Sequence, residues 1–232
     1  MSQQDSYKKE AAERAVELVQ SGMVVGLGTG ETATYAIRRI GALLRAGTLE
    51  DIEGVATSLA TAAEAVRLGI PLLEEPRATP TDITIDGGDE IDPALNLIKG
   101  RGGALLREKI VAQTSRRVVI VADHSKLSPV LGTRGPLPVE VVPFGSRYQP
   151  EYLKRLMPRA QISFRLAPDG SPVRTDQGNF ILDCATGPIE QAEELAAQIQ
   201  ARAGVVAHGL FLGLATDVIV AGPAGVEHRT RR

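Results

Sequence analysis

The sequence predicts a mostly parallel α/β sheet with helices on both faces, into which a smaller α+β domain is inserted. Three observations carry this reading. Continuous apolar runs such as Met23-Val24-Val25-Gly26-Leu27 and Arg117-Val118-Val119-Ile120-Val121-Ala122 are typical of strands buried on both faces. Segments with apolar residues at helical spacing alternate with these runs, which is the order of a parallel sheet. Four of the runs release polar residues at their C-terminal ends, where ligands bind in open parallel sheets. The expected main domain is therefore Rossmann-like.

The first helix is expected from Asp5 to Val19, where Ala12, Ala15, Val16 and Val19 recur on one face. Asp5 or Ser6 can cap its start, and it should end near Ser21-Gly22. The strand Met23 to Leu27 then runs into Gly28-Thr29-Gly30-Glu31-Thr32 and a helix from Ala33 to Arg45. A glycine turn between strand and helix presents N–H groups and threonine hydroxyls. This one lacks the third glycine of the dinucleotide fingerprint and the GK[ST] of a Walker loop. Taken alone, it fits a phosphate cradle and a tight connection equally well. Val55-Ala56-Thr57-Ser58 is a second strand whose end delivers hydroxyls, and Leu59 to Leu68 is a helix closing at Gly69. Asp82 to Asp86 is the third strand, and Arg117 to Ala122, followed by Asp123, His124, Ser125 and Lys126, is the fourth.

After Lys126 the texture changes, with Ser128-Pro129, Gly132, Gly135-Pro136 and Pro138 forming a linker-like passage. Strand Val139 to Val142, helix Pro150 to Met157, strand Gln161 to Leu166, strand Asn179 to Cys184 and helix Ile189 to Ala203 follow. That β-α-β-β-α order predicts a split-βαβ, ferredoxin-like sandwich. His208-Gly209-Leu210-Phe211 and strand Asp217 to Ala221 are expected to return to the first sheet. The expected boundaries are 1–130 with 205–232 for the catalytic domain and 131–204 for the small one.

The chemistry concentrates between Asp86 and Glu108, DGGDEIDPALNLIKGRGGALLRE. Asp86 and Asp89 follow the β-like Ile83-Thr84-Ile85. Lys99 opens a turn kept free of side chains by Gly100, Gly102 and Gly103, and Glu108 lies one turn into the helix beyond. A cation, bare backbone amides and several carboxylates suit a polyhydroxylated anionic ligand: amides at a helix N-terminus attract negative charge, and carboxylates accept hydroxyl protons. A calcium loop would need oxygen ligands at alternate positions and a glutamate at the twelfth, a register this segment lacks. A purely structural turn accounts for the glycines but not for Lys99 between the acidic groups.

Composition narrows the partners. The 232 residues are 43% hydrophobic and 23% charged with a formal net charge of -2, so the basic excess of a nucleic-acid binder is missing. No apolar run approaches the roughly 20 residues of a membrane helix, and the opening MSQQDSYKKE is too polar for a signal peptide. A cytoplasmic protein is expected, with neither nucleic acid nor membrane as partner. The single cysteine, Cys184, is expected in the core, and one cysteine with three histidines makes no case for a zinc site. His124 and His208 are assigned no catalytic role.

Four motifs then combine: GLGTGETA at 26–33, DGGDEID at 86–92, KGRGGALLREK at 99–109 and ADHSKL at 122–127. In this order and spacing the chain resembles type A ribose-5-phosphate isomerase over nearly its whole length. The resemblance implies interconversion of ribose 5-phosphate and ribulose 5-phosphate through an enediolate, without a metal or other cofactor, in a homodimer or homotetramer. By motif, Glu108 takes the general base's place. Asp86, Asp89 and Lys99 take those of the groups that open the sugar ring, shuttle hydroxyl protons and hold the oxyanion. Lys8, Thr29, Thr32 and Lys126 fall where the family grips the phosphate, and Gly30, Glu31, Gly87, Gly88, Gly100, Arg101 and Gly102 complete the expected substrate-binding set. Three positions depart from the family pattern: Glu31 replaces the serine of GTGST, Arg101 interrupts KGGG, and Leu106 replaces a frequent threonine. Glu31 puts a negative charge beside the expected phosphate. Either it points into solvent or a cation such as Arg101 neutralises it. A sugar-phosphate sensor would need the turn but no base, and an isomerase for another aldose phosphate would differ in pocket shape rather than in motif.

Overall fold

The computed structural model describes residues 2–73 and 80–231. They fall into two units: Met1–Gly88 with Arg107–Lys126 and Gly213–Arg232, and Asp89–Leu106 with Leu127–Leu212.

The first unit opens with helix α1 (Gln3–Val16). Its cap is Ser2, not Asp5 or Ser6: the Ser2 hydroxyl accepts from the Asp5 N–H at 3.1 Å while the Asp5 carboxylate accepts from the Ser2 N–H, a reciprocal capping box. The helix stops well before Ser21, and Val19 is buried from a turn beyond it. Strand β1 (Val24–Leu27) leads to α2 (Glu31–Arg45), β2 (Glu53–Ala56) to α3 (Leu59–Arg67), and β3 (Ile83–Gly87) follows. Helix α4 (Leu105–Gln113), in this unit from Arg107 onward, β6 (Val118–Asp123), β12 (Asp217–Gly222) and β13 (Gly225–Thr230) complete the set. The sheet runs β13-β12-β6-β3-β1-β2, parallel throughout except for the β12–β13 hairpin.

Every residue of β6 and β12 is buried, as their unbroken apolar runs require. Val25, Leu27, Ile83, Ile85, Val119 and Val121 pack with α1 and α2 on one face. Burying each such side chain is worth roughly 1.5–3 kcal/mol. On the opposite face Thr84 hydrogen-bonds Ser115, just after α4, at 2.7 Å. Helices therefore flank both faces. The chain moves outward from β1 to β2, then returns to pair β3 on the other side of β1. This is a topological switch point, beside which the loops after β1 and β3 must diverge and open a crevice.

The second unit holds two antiparallel sheets. The smaller joins β4 (Glu90–Ile91), β5 (Leu97–Ile98) and β11 (Leu210–Phe211) in the order β11-β5-β4. The larger is built from β7 (Leu137–Val141), α5 (Gln149–Leu156), β8 (Gln161–Phe164), β9 (Phe180–Ala185), α6 (Ala192–Gln200) and β10 (Val205–His208). Its order, β10-β7-β9-β8, is the ferredoxin-like arrangement, with Leu137, Val139, Val141, Leu182 and Cys184 in its core. Residues 205–211 were expected in the main sheet. Instead β10 pairs β7 and β11 pairs β5. The β-α-β-β-α run needs a last strand to cover the backbone edge of β7, and β10 supplies it. Asp89–Leu106 likewise belongs to the second unit, so the division differs from the expected cuts at 130 and 204.

Among the described residues no helix is long and apolar enough to cross a membrane.

Candidate active site

In the first unit several of the expected residues lie at the switch point. The Gly28 N–H donates to the Ile85 carbonyl at 3.0 Å, drawing the turn after β1 onto the end of β3. Asp86, 2% exposed, accepts there from the N–H groups of Thr29 (3.0 Å) and Gly87 (2.7 Å) through one carboxylate oxygen. Only glycine fits at position 28: a Cβ would lie 2.4 Å from Asp86 Oδ1 and 2.5 Å from its Cα. The Thr29 hydroxyl points into a cluster of Thr57 (2.7 Å), Ser58 (2.9 Å) and Thr61 (3.1 Å). Thr57 and Thr61 donate in turn to the carbonyls of Leu27 and Gly28, both at 2.9 Å. Thr29 thus spends its N–H and hydroxyl on holding the turn, and the Thr57-Ser58 hydroxyls foreseen at the end of β2 brace it from below.

Gly30 caps α2 with no side-chain bond, leaving the helix dipole to act at the turn, with Glu31 and half-buried Thr32 in its first turn. Glu31 is paired with Lys8, the ammonium lying 2.6 Å from its carboxylate and 3.6 Å from that of Asp5. The cation paired with Glu31 is therefore Lys8 rather than the Arg101 named from the sequence, and Lys8 is itself one of the expected phosphate ligands. The hydrogen bond that Lys8 donates to Glu31 outweighs burial and holds the ammonium above the usual lysine range. The side chain of Glu31 is 81% exposed against 12% for Lys8, so the carboxylate can leave more readily than the ammonium. Lys126 ends the 3-10 turn His124–Lys126, which follows buried Asp123; the Ser125 N–H caps that carboxylate at 2.9 Å. Glu108, 5% exposed, lies in the first turn of α4.

In the second unit the expected residues meet around the Lys99–Gly103 turn. Asp89 accepts from the Arg101 N–H at 2.8 Å, and the Lys99 N–H donates to the Gly209 carbonyl at 2.9 Å. Lys99 is 3% exposed, its ammonium 5.6 Å from the centre of the Phe211 ring. Gly100 adopts φ +106°, which a side chain would resist, while Arg101 and Gly102 are exposed. Glu90, the next residue, accepts instead from the Gly132 N–H (3.0 Å), the Thr133 N–H (3.0 Å) and the Thr133 hydroxyl (2.8 Å). A cleft of about 130 Å³ lies beside Asp89 and Arg101, lined also by Arg165 and Asp183. The last two carried no signal in the sequence.

Cys184 lies in the second core, where burial, with Asp183 adding to it, pushes its thiol up to about 12. Among the described residues no group of three His, Cys, Asp or Glu side chains is placed to hold a metal ion.

The family model of ribose 5-phosphate isomerase A (phosphoriboisomerase A) matches residues 53–225. Ribose-5-phosphate isomerase A of Chloroflexus aurantiacus is 56% identical over 226 residues, covering 97% of this chain and 94% of that protein. The solved ribose 5-phosphate isomerase of Plasmodium falciparum superposes with a TM-score of 0.95 at 40% identity, covering 98% of this chain and 99% of the other. A D-ribose-5-phosphate isomerase solved in complex with phospho-erythronic acid gives a TM-score of 0.95 at 35% identity, covering 99% of this chain and 100% of the other. With motifs, fold and sequence in agreement, the chain belongs to the ribose 5-phosphate isomerase A family.

Proposed function

We propose that this chain interconverts ribose 5-phosphate and ribulose 5-phosphate, an aldose–ketose isomerisation in the non-oxidative branch of the pentose phosphate pathway. One observation carries the reading beyond family membership: Asp86, Lys99 and Glu108 are 2%, 3% and 5% exposed. Charged side chains of these kinds are seldom buried unless a partner or a reaction needs them there. The ligand of the solved relative, phospho-erythronic acid, is a polyhydroxylated acid with a phosphate at one end, and its planar carboxylate resembles an enediolate in shape and charge.

In the proposed reaction Glu108 removes the proton from C2 of the open-chain aldose. The electron pair forms the C1–C2 double bond of the enediolate, and the same carboxyl returns the proton to C1. Lys99 stabilises the enediolate oxygen, a preorganised charge that needs no movement during the step. Asp86 and Asp89 carry the hydroxyl protons, and before that the proton that opens the ring. The phosphate is held at the start of α2 by Lys8, Thr32 and the Gly30–Glu31 backbone, with Lys126 alongside. Thr29 acts through the turn it braces. We further place the protein in the cytoplasm as a homodimer or homotetramer, which light scattering of the purified chain resolves.

The test is turnover of a panel of pentose and hexose phosphates by the purified protein with EDTA present. Ribose 5-phosphate should give the highest kcat/KM. A preferred hexose phosphate, or no turnover of ribose 5-phosphate, overturns the proposal.

A further inference from the structure

We propose that Arg165 is a positioning residue for the isomerisation, setting the Lys99–Gly103 loop through its backbone; this rests on the role given to Lys99 above. Arg165 follows β8 and its own backbone is fixed on both sides: its N–H donates to the Ile181 carbonyl and its carbonyl accepts from the Val173 N–H. Its guanidinium grips Asp183 with two parallel bonds, Nε at 2.8 Å and Nη2 at 2.5 Å. The remaining nitrogen, Nη1, donates to two successive carbonyls of the loop, Gly100 at 2.9 Å and Arg101 at 2.8 Å. A planar fork held by a carboxylate on one edge offers its other edge in one orientation only, which a lysine ammonium cannot do.

The loop needs such a hold. Gly100 and Gly103 both have positive φ, and a glycine-rich segment has little local preference to keep it in one conformation. Its anchors are the Asp89 carboxylate on the Arg101 N–H, the Gly209 carbonyl on the Lys99 N–H, and Arg165 on the two carbonyls just after Lys99. The buried Lys99 ammonium is aimed by this backbone, so tilting the peptides at 100 and 101 displaces the charge that meets the enediolate oxygen. Misplacement by about 1 Å can cost on the order of a hundredfold in rate.

The experiment is steady-state kinetics on ribose 5-phosphate with the full chain and the variants Arg165→Met, Asp183→Asn and Lys99→Ala, with thermal unfolding and hydrogen exchange of the loop followed alongside. The expected result for folded Arg165→Met is a kcat lowered about tenfold to a hundredfold, KM within about threefold of the parent, and faster exchange at residues 100–103. Asp183→Asn should lower kcat about threefold or more. If Arg165→Met does not fold, Asp183→Asn decides, and an unchanged kcat there overturns the proposal. Parent-like kcat in folded Arg165→Met with a slow Lys99→Ala overturns the positioning role alone. Full activity in Lys99→Ala overturns the role of Lys99 and the positioning role with it.

Discussion

The two glycine turns of this chain, Gly28–Gly30 and Lys99–Gly103, look alike in the sequence and are held in different ways. The first hangs from the sheet. Gly28 is bonded to the backbone of β3, Thr29 to Asp86 at the end of that strand, and the hydroxyls below belong to the next parallel strand and helix. The second follows a strand of two residues, and its fixed points include the side chain of Asp89 and, 64 and 65 residues away, that of Arg165. A long parallel sheet positions a loop by strand ends alone, whereas a short strand must borrow side chains from elsewhere. The difference predicts which kinetic constant each turn governs: KM for the first, at the proposed phosphate end, and kcat for the second and for the helix it opens.

The largest effect expected is on Glu108. Replacing it by Gln keeps size and polarity but removes the carboxylate proposed as the base, so kcat should fall by a factor of about 10² to 10⁴ with KM little changed. Retained turnover would break the division by taking the proton transfer away from the α4 side. Next comes Gly28→Ala, which tests the claim that the first turn is set by backbone contact. The added methyl would meet Asp86 at 2.4 Å, and Asp86 cannot move without dragging the β3 end with it. Overpacking of this kind costs about 1–3 kcal/mol, seen as a lower Tm by thermal unfolding. An unchanged Tm would mean that close contact with Asp86 does not set the turn. The smallest effect is on Glu31. Because this mostly exposed carboxylate competes for Lys8, Glu31→Ser should lower KM at unchanged kcat, by no more than about fivefold, since exposed pairs are worth at most about 1 kcal/mol. A rise in KM would show that Glu31 itself contacts the substrate.

The regular part of the first unit was legible because its signals are local. Unbroken apolar runs mark strands buried on both faces, and the glycines and threonines after them mark where the sheet opens. Asp86, Asp89, Lys99 and Glu108 stood out in the sequence because they crowd into one segment, which the structure divides between the two units, and the ferredoxin-like unit could be read from element order. The cap at Ser2 was missed because Ser2, Asp5 and Ser6 are all competent capping residues, and only the backbone direction picks one. Asp89 and Glu90 are neighbours of the same charge in the sequence, yet one faces the loop and the other braces residues 132–133.

By itself, then, the sequence determined the alternation of strands and helices, the segment that carries the charged groups, and the residue types available to it, because periodicity and turn chemistry act over a few residues. Three matters were left to the tertiary structure. Residues 205–211 went to the second unit because a strand joins whichever edge offers unpaired N–H and C=O groups, and β7 and β5 offered theirs. Lys8 became the partner of Glu31 because packing α1 beside α2 brings together side chains 23 residues apart. Arg165 came to hold the Lys99 loop because the β8–β9 pairing sets it beside Asp183, a distance relation with no trace in local composition.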